Sequence, residues 1–331
     1  MRTVIITGMS GRLASLVAGA LATQPRTRVI GVGQELPQDP PDGVRAQLCD
    51  MRGDTLLDLL RATGADTVIH LDFPDEEQPA ASRDGGGRGN VFRTIELLGA
   101  CAAAQVSRVV LRSSTLVYGA RPDAPAFIPE SAPVFQSAHT GLVQGYAEAE
   151  RVAAEFAARH PSLQVCPLRL AGIVGGGVSS PLSRYLARRQ PPTMLGYDPR
   201  VQVLHAHDAA VALALAALAD GLTGPVNIAA APPLPLGHMV VLAGGRPVPL
   251  PGAAFAAFEF SREAPPGVGA LLAAAVAPAV RTLGDLPFDT AYLRYGCVVD
   301  TCRARDLLGW EPQYTAEQAL REIAPTLKAE G

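Results

Sequence analysis

Apolar and polar positions alternate in blocks along the first half of the chain. Short runs rich in β-branched residues, Val4–Ile6, Val29–Val32, Ala46–Leu48, Thr67–Leu71, Val109–Leu111 and Val165–Leu170, are separated by stretches with helical spacing such as Leu13–Leu21. Continuous apolar runs of this length are the pattern of parallel strands buried on both faces, with the intervening helices as the cover. The pattern therefore predicts an α/β fold with a doubly wound parallel sheet, in which ligands lie beyond the carboxyl ends of the strands. After Gly175 the alternation breaks, and Pro181, Pro191-Pro192, Pro232–Pro235, Pro247–Pro251 and Pro265-Pro266 separate shorter pieces. Residues 1–175 are expected to form the dinucleotide-binding part and 176–331 mainly a smaller C-terminal substrate-binding region, with 201–230 and 297–325 returning to the first. The Ala-, Gly- and Pro-rich stretch 252–281 carries Phe255, Phe258 and Phe260 near its start. It reads either as a lid with an aromatic inner face or as a helical hairpin completing the core.

The first helix opens on Gly8-Met9-Ser10-Gly11-Arg12-Leu13-Ala14, directly after the first strand. A Gly-x-x-Gly alone also marks ordinary turns, but between a strand and a helix it is the Rossmann-type dinucleotide turn. Gly8 permits the turn, Gly11 lets the backbone approach a pyrophosphate, and Ala14 allows close packing of the helix. The second strand ends in Gly31-Val32-Gly33-Gln34, with no carboxylate at its tip and Glu35 just beyond. Nothing at the tip repels a 2′-phosphate, and Arg12 is placed to pair with one, so NADP(H) is favoured over NAD(H). Asp50 follows the third strand and either accepts from an adenine amino group or caps a helix.

Composition narrows the partners. The net charge of −3 and the absence of an arginine cluster interleaved with aromatics argue against nucleic acid. The longest apolar run, Ala209–Ala219, is well short of the ~20 residues a membrane span needs. With a strand at its very start, the chain is expected to be soluble and cytoplasmic, acting on a small molecule as a monomer or homodimer. Five cysteines, Cys49, Cys101, Cys166, Cys297 and Cys302, lack ligand spacing and read as buried thiols. His205-Ala206-His207-Asp208 has no third ligand in view, so no metal site is expected.

Several segments together resemble the extended short-chain dehydrogenase/reductase superfamily, in its NAD-dependent epimerase/dehydratase branch. They are Thr7–Gly11, Val68–Leu71, Asn90-Val91, Arg108–Gly119, Pro167–Arg169, Leu204–Asp208 and Leu307–Pro312. The resemblance implies a cofactor site formed by Thr7, Gly8, Ser10, Gly11, Arg12, Leu13, Asp50, Met51, Leu71, Asn90, Ser113 and Pro167. It also places the family's active serine at Ser114, four residues before Tyr118, which relatives use mainly structurally.

The chain departs from the family at the proton-transfer pair. The family carries Tyr-x-x-x-Lys followed by an acidic residue on a helix, whereas this chain has one lysine in all, Lys328. If Glu150 takes the acidic position, the tyrosine becomes Leu142 and the lysine Tyr146. Atypical relatives with such losses include the simocyclinone-type ketoreductases of antibiotic pathways. That similarity implies an NADPH-dependent reduction of a polycyclic aromatic ketone of polyketide type. In this reading Ser114 donates to the developing alkoxide, and a phenol on the substrate assists. Tyr146 and His139 are further candidate acids; the alternatives are a core aromatic and a solvent-facing loop histidine. Two other functions compete: a non-enzymatic NAD(P)-binding sensor, and a nucleotide-sugar epimerase or dehydratase, which the missing pair disfavours.

Overall fold

The computed structural model describes residues 1–51, 54–73, 88–135, 141–263, 283 and 286–329. The elements of the first half are β1 (Arg2–Thr7), α1 (Arg12–Ala22), β2 (Thr27–Gly33), β3 (Val44–Leu48), α2 (Asp54–Thr63), β4 (Thr67–His70), α3 (Arg88–Ala103), β5 (Arg108–Ser114), α4 (Gly141–Arg159) and β6 (Gln164–Leu170). The expected runs thus form the six strands in order. Later come β7 (Gly172–Val174), α5 (Pro181–Leu186), β8 (Pro192–Met194), β9 (Arg200–Val201), β10 (Val203–His205), α6 (Ala206–Leu218) and β11 (Val226–Ile228). The chain continues through β12 (Leu234–Pro235), α7 (Leu236–Leu242), β13 (Val248–Leu250), α8 (Gly252–Glu263), α9 (Cys302–Leu308) and α10 (Ala316–Ala329).

Seven strands make one parallel sheet in the order β11-β6-β5-β4-β1-β2-β3. Strand order reverses between β1 and β4, which opens a crevice at their carboxyl ends, where the glycine turn lies. β4 and the last five residues of β1 are buried, because helices cover both faces. α3 packs on α4, and α1 on α6.

α6 is apolar nearly all round and is buried accordingly, pressed between α1 and strands β4, β5 and β6. It fixes the C-terminal segment as well. The Asp208 carboxylate, 1% exposed, accepts from the Gln313 and Tyr314 amides, both at 3.0 Å, and Trp310 Nε1 donates to the Asp208 carbonyl. A second, smaller apolar cluster gathers Val174, Leu182, Tyr185, Met239, Phe255 and Leu320 away from the sheet.

Of the stretch 252–281, only α8 at its start is described; Phe255 and Phe258 are buried in that second cluster, while Phe260 is exposed. The remainder of the candidate lid lies outside the described residues. No helix among the described residues is long and apolar enough to cross a membrane.

Candidate active site

The glycine turn forms a cradle that a side chain would fill. Gly8 has φ +72°, and a Cβ there would sit 2.8 Å from the Leu71 carbonyl oxygen. α1 starts at Arg12 with no side-chain cap and no acidic residue in its first turn, so its leading N–H groups and its dipole are left for an anion. The cavity at this point is lined by Gly8, Ser10, Gly11, Arg12, Leu13 and Leu71, joined from across the crevice by Gly177 and Ser179. These residues fit a dinucleotide pyrophosphate.

Beneath the turn, Thr7 ties β1 to β4: its Oγ1 accepts from Leu71 N–H at 3.1 Å and lies 2.8 Å from His70 Nδ1. Burial lowers the His70 pKa to about 4, so the imidazole is neutral. Asn90, on α3, is fully buried, and neither of its amide atoms has a hydrogen-bond partner among the described residues. Unmet groups of this kind are what a bound ligand satisfies.

The far wall of this cavity belongs to the C-terminal half. Gly175, Gly176 and Gly177 have φ of +77°, +58° and +75°. Arg12 Nε donates to the Gly176 carbonyl at 3.0 Å, and Gly176 N–H donates to Glu322 Oε1 at 3.0 Å. The other Glu322 oxygen is 2.9 Å from His205 Nε2, and His205 Nδ1 accepts from His207 N–H. Gly175 packs so closely on that imidazole that a Cβ would lie 2.7 Å from Nε2. His205 therefore serves this clasp, and among the described residues no group of three or more His, Cys, Asp or Glu gathers to hold a metal.

Adjacent residues of β5 meet opposite environments. Ser113 Oγ donates to Glu150 Oε1. Glu150 also receives Arg169 through Nε, 3.1 Å from each carboxylate oxygen, and through Nη2 at 2.6 Å. Arg169 Nη1 reaches Tyr118 Oη at 2.7 Å, and Tyr118 donates to Asn227 Oδ1 at 2.8 Å. Burial pushes the Tyr118 phenol up, against the lowering effect of Arg169. This closed network anchors α4 to the sheet through Glu150.

Ser114 faces a second cavity. Its Oγ accepts from Leu116 N–H at 3.3 Å, capping a short 3-10 turn (Thr115–Tyr118) and leaving the hydroxyl proton for a ligand. The cavity, about 70 Å³, has apolar and aromatic walls that include Leu182, Leu236, Phe288, Tyr292 and Tyr295. Arg112, 8% exposed, lines both this cavity and the one at the glycine turn.

Not every expected residue comes to these cavities. Tyr146 is 1% exposed, stacks on Phe73 with ring centroids 5.1 Å apart, and lines neither. Asp50 is exposed and Met51 buried at the end of β3, outside the lining of the glycine-turn cavity. Pro167 lies in mid-β6 and lines a separate cavity of about 640 Å³ beside α4, far larger but sharing no lining residue with the other two. The Ser113 hydroxyl donates to Glu150, and Ser113 also lines the aromatic-walled cavity. His139 lies outside the described residues. Sequence reasoning missed Arg112, the Gly175–Ser179 wall, Glu322 and Tyr295; the run of three glycines was the one visible signal among them.

Comparison with known proteins agrees with this layout. The profile of the NAD dependent epimerase/dehydratase family matches residues 4–229. The chain belongs to this family. An uncharacterized protein of Mycobacterium tuberculosis (strain ATCC 25618 / H37Rv) is 34% identical over 96% of this chain and 82% of its own length. Among solved structures, MoeE5 in complex with UDP-glucuronic acid and NAD matches with TM-score 0.72 and 22% identity, covering 99% of this chain and all of that one. A UDP-glucose 4-epimerase of Thermotoga maritima with UDP-glucose matches with TM-score 0.69 and 16% identity, covering 99% of both chains. At these identities the structures show the shared fold. For this family member, the loss of Tyr-x-x-x-Lys is a departure within a retained scaffold.

Proposed function

We propose that the protein is a nicotinamide-dependent ketoreductase that works without the Tyr-x-x-x-Lys acid. The observation that carries this reading is the Ser114 hydroxyl, free to donate, on the wall of an aromatic-lined cavity joined to the glycine-turn cavity through Arg112. The residues that would hold the dinucleotide are Gly8, Ser10, Gly11 and Leu13, with Asn90 as a buried amide in need of partners. When bound, a reduced nicotinamide supplies the hydride. Ser114 orients the carbonyl and donates to the oxygen as charge develops there.

The apolar walls suit a ring ketone of the polyketide class better than a polyhydroxylated sugar. At about 70 Å³ the cavity takes the ketone-bearing edge of such a molecule and not a whole polycycle. NADP(H) stays ahead of NAD(H) because β2 ends without a carboxylate and, among the described residues, Arg12 bonds through Nε alone, leaving both terminal amino groups for a phosphate.

The test is titration with NADPH and NADH, followed by nicotinamide absorbance on adding aromatic ketones, with and without a phenol beside the carbonyl. Ketone-dependent oxidation is expected, with tighter binding of NADPH. Tight binding without oxidation of any ketone would favour a sensor. A second reading, nucleotide-sugar conversion, draws on the UDP-sugars held by the structural neighbours. Turnover of UDP-glucose in the same assay would favour it.

A further inference from the structure

We propose that Tyr295 is the proton donor that replaces the family's tyrosine, an inference that rests on the ketone-reduction reading. The other described phenols near Ser114 are unsuited. Tyr118 is held in the Arg169–Asn227 network, and Tyr146 is packed against Phe73 outside the cavity. Tyr292 lines the cavity, but its hydroxyl donates to the Leu116 carbonyl at 2.7 Å, and burial holds its pKa well above the ordinary phenol range.

Tyr295 differs on each count. It lines the same cavity as Ser114, is half-buried, and its hydroxyl makes no hydrogen bond among the described residues. Its position is fixed from both sides by bonds to the turn that follows Ser114. Tyr292 Oη is bonded to Leu116 O, and Cys297 Sγ lies 3.4 Å from Thr115 O. Tyr295 N–H donates to Ala291 O at 2.8 Å, and Gly296 packs so closely on Arg200 that a Cβ would lie 2.8 Å from its carbonyl oxygen. The segment cannot drift from the Ser114 turn without breaking these contacts. A cation is also in place, because the Arg294 guanidinium lies 5.0 Å from the ring centroids of both Tyr295 and Tyr197. Arg294 is sequence-adjacent to the phenol, whereas the family's lysine follows its tyrosine by one helical turn.

In the step assigned to Tyr295, a bound reduced nicotinamide would supply hydride, with its two electrons, to the carbonyl carbon. The C=O π pair moves to oxygen, and the phenol O–H bond breaks to deliver the proton there. The products are a secondary alcohol, oxidised nicotinamide and a phenolate, which water at the cavity mouth reprotonates. Ser114 donates to the same oxygen throughout.

The experiment compares wild type with Tyr295→Phe, which keeps the ring under Arg294 and removes only the hydroxyl. NADPH affinity, melting temperature, kcat, KM and the solvent deuterium isotope effect are measured with a ketone that has no neighbouring phenol. The expected result is a fall in kcat of about 10²–10⁴-fold, with KM, NADPH affinity and melting temperature near wild type and the isotope effect lost. An unchanged kcat would overturn the assignment while leaving ketone reduction intact. A fall in kcat accompanied by a lower melting temperature and a retained isotope effect would overturn it in favour of a structural role. Failure of wild type itself to oxidise NADPH with any ketone would defeat the reduction reading, and the assignment with it.

Discussion

Ser113 and Ser114 are consecutive and line the same cavity, yet the Ser113 hydroxyl closes a buried network while the Ser114 hydroxyl keeps its proton. On the Ser113 side, Glu150, Arg169, Tyr118 and Asn227 bond to one another across α4, β6, β11 and the turn after β5. On the Ser114 side, the wall is apolar and drawn from distant segments, with few polar groups left to address a ligand. The difference shows which part of the family's helix is scaffold. α4 keeps the glutamate that anchors it to the sheet and has lost the pair that moves protons.

The contrast can be broken most strongly from the network side. Glu150→Ala leaves the Arg169 guanidinium, 4% exposed, without its carboxylate. Removing one partner of a buried pair typically costs about 3–5 kcal/mol, so urea unfolding should show a loss of that size; a loss under about 1 kcal/mol, the range of exposed pairs, would mean that the network does not hold the helix. On the cavity side, Ser114→Ala should cost only about 1 kcal/mol, the loss of its cap on the turn, and lower kcat about 10²–10³-fold, the usual effect of losing one donor to a developing oxyanion. Equal stability losses for the two variants would erase the distinction between the sites.

The smallest effect belongs to the Glu322 clasp. Gly176 N–H, and after it His205, hold the Glu322 carboxyl below its ordinary range. A carboxyl depressed in the folded state stabilises above its unfolded pKa, about 4.3, and loses that contribution as pH falls through the folded value. The side chain is 46% exposed, so solvent screening keeps the contribution small. Between pH 5 and lower values, wild type should therefore lose slightly more stability than Glu322→Gln. Parallel pH profiles would show that the clasp carries no charge dependence.

How much of this was legible depended on the range of the contacts. The strands from Val4 to Leu170 follow from local apolar runs, and the glycine turn from its place between β1 and α1. Ser114 and the shifted frame of α4 follow from spacing, with Glu150 as the fixed point. Arg12 was visible, but its bond to Gly176, 164 residues away, was not. Tyr295 and Glu322 become parts of the site only through packing of the C-terminal segments, and no periodicity encodes which loop a distant side chain will meet. For Tyr146 spacing left two readings open, a candidate acid and a core aromatic, and its packing against Phe73 was not visible in the sequence.

The three-glycine loop between Arg12 and Glu322 links the first helix to the last. The loop is a wall of the dinucleotide cavity, and it is held by the final helix of the chain. Coupling between two sites is reciprocal by thermodynamic necessity. Whatever free energy α10 lends to seating a dinucleotide at Gly8–Gly11, the seated dinucleotide returns to the docking of α10, so the chain's far end registers whether the first helix is occupied.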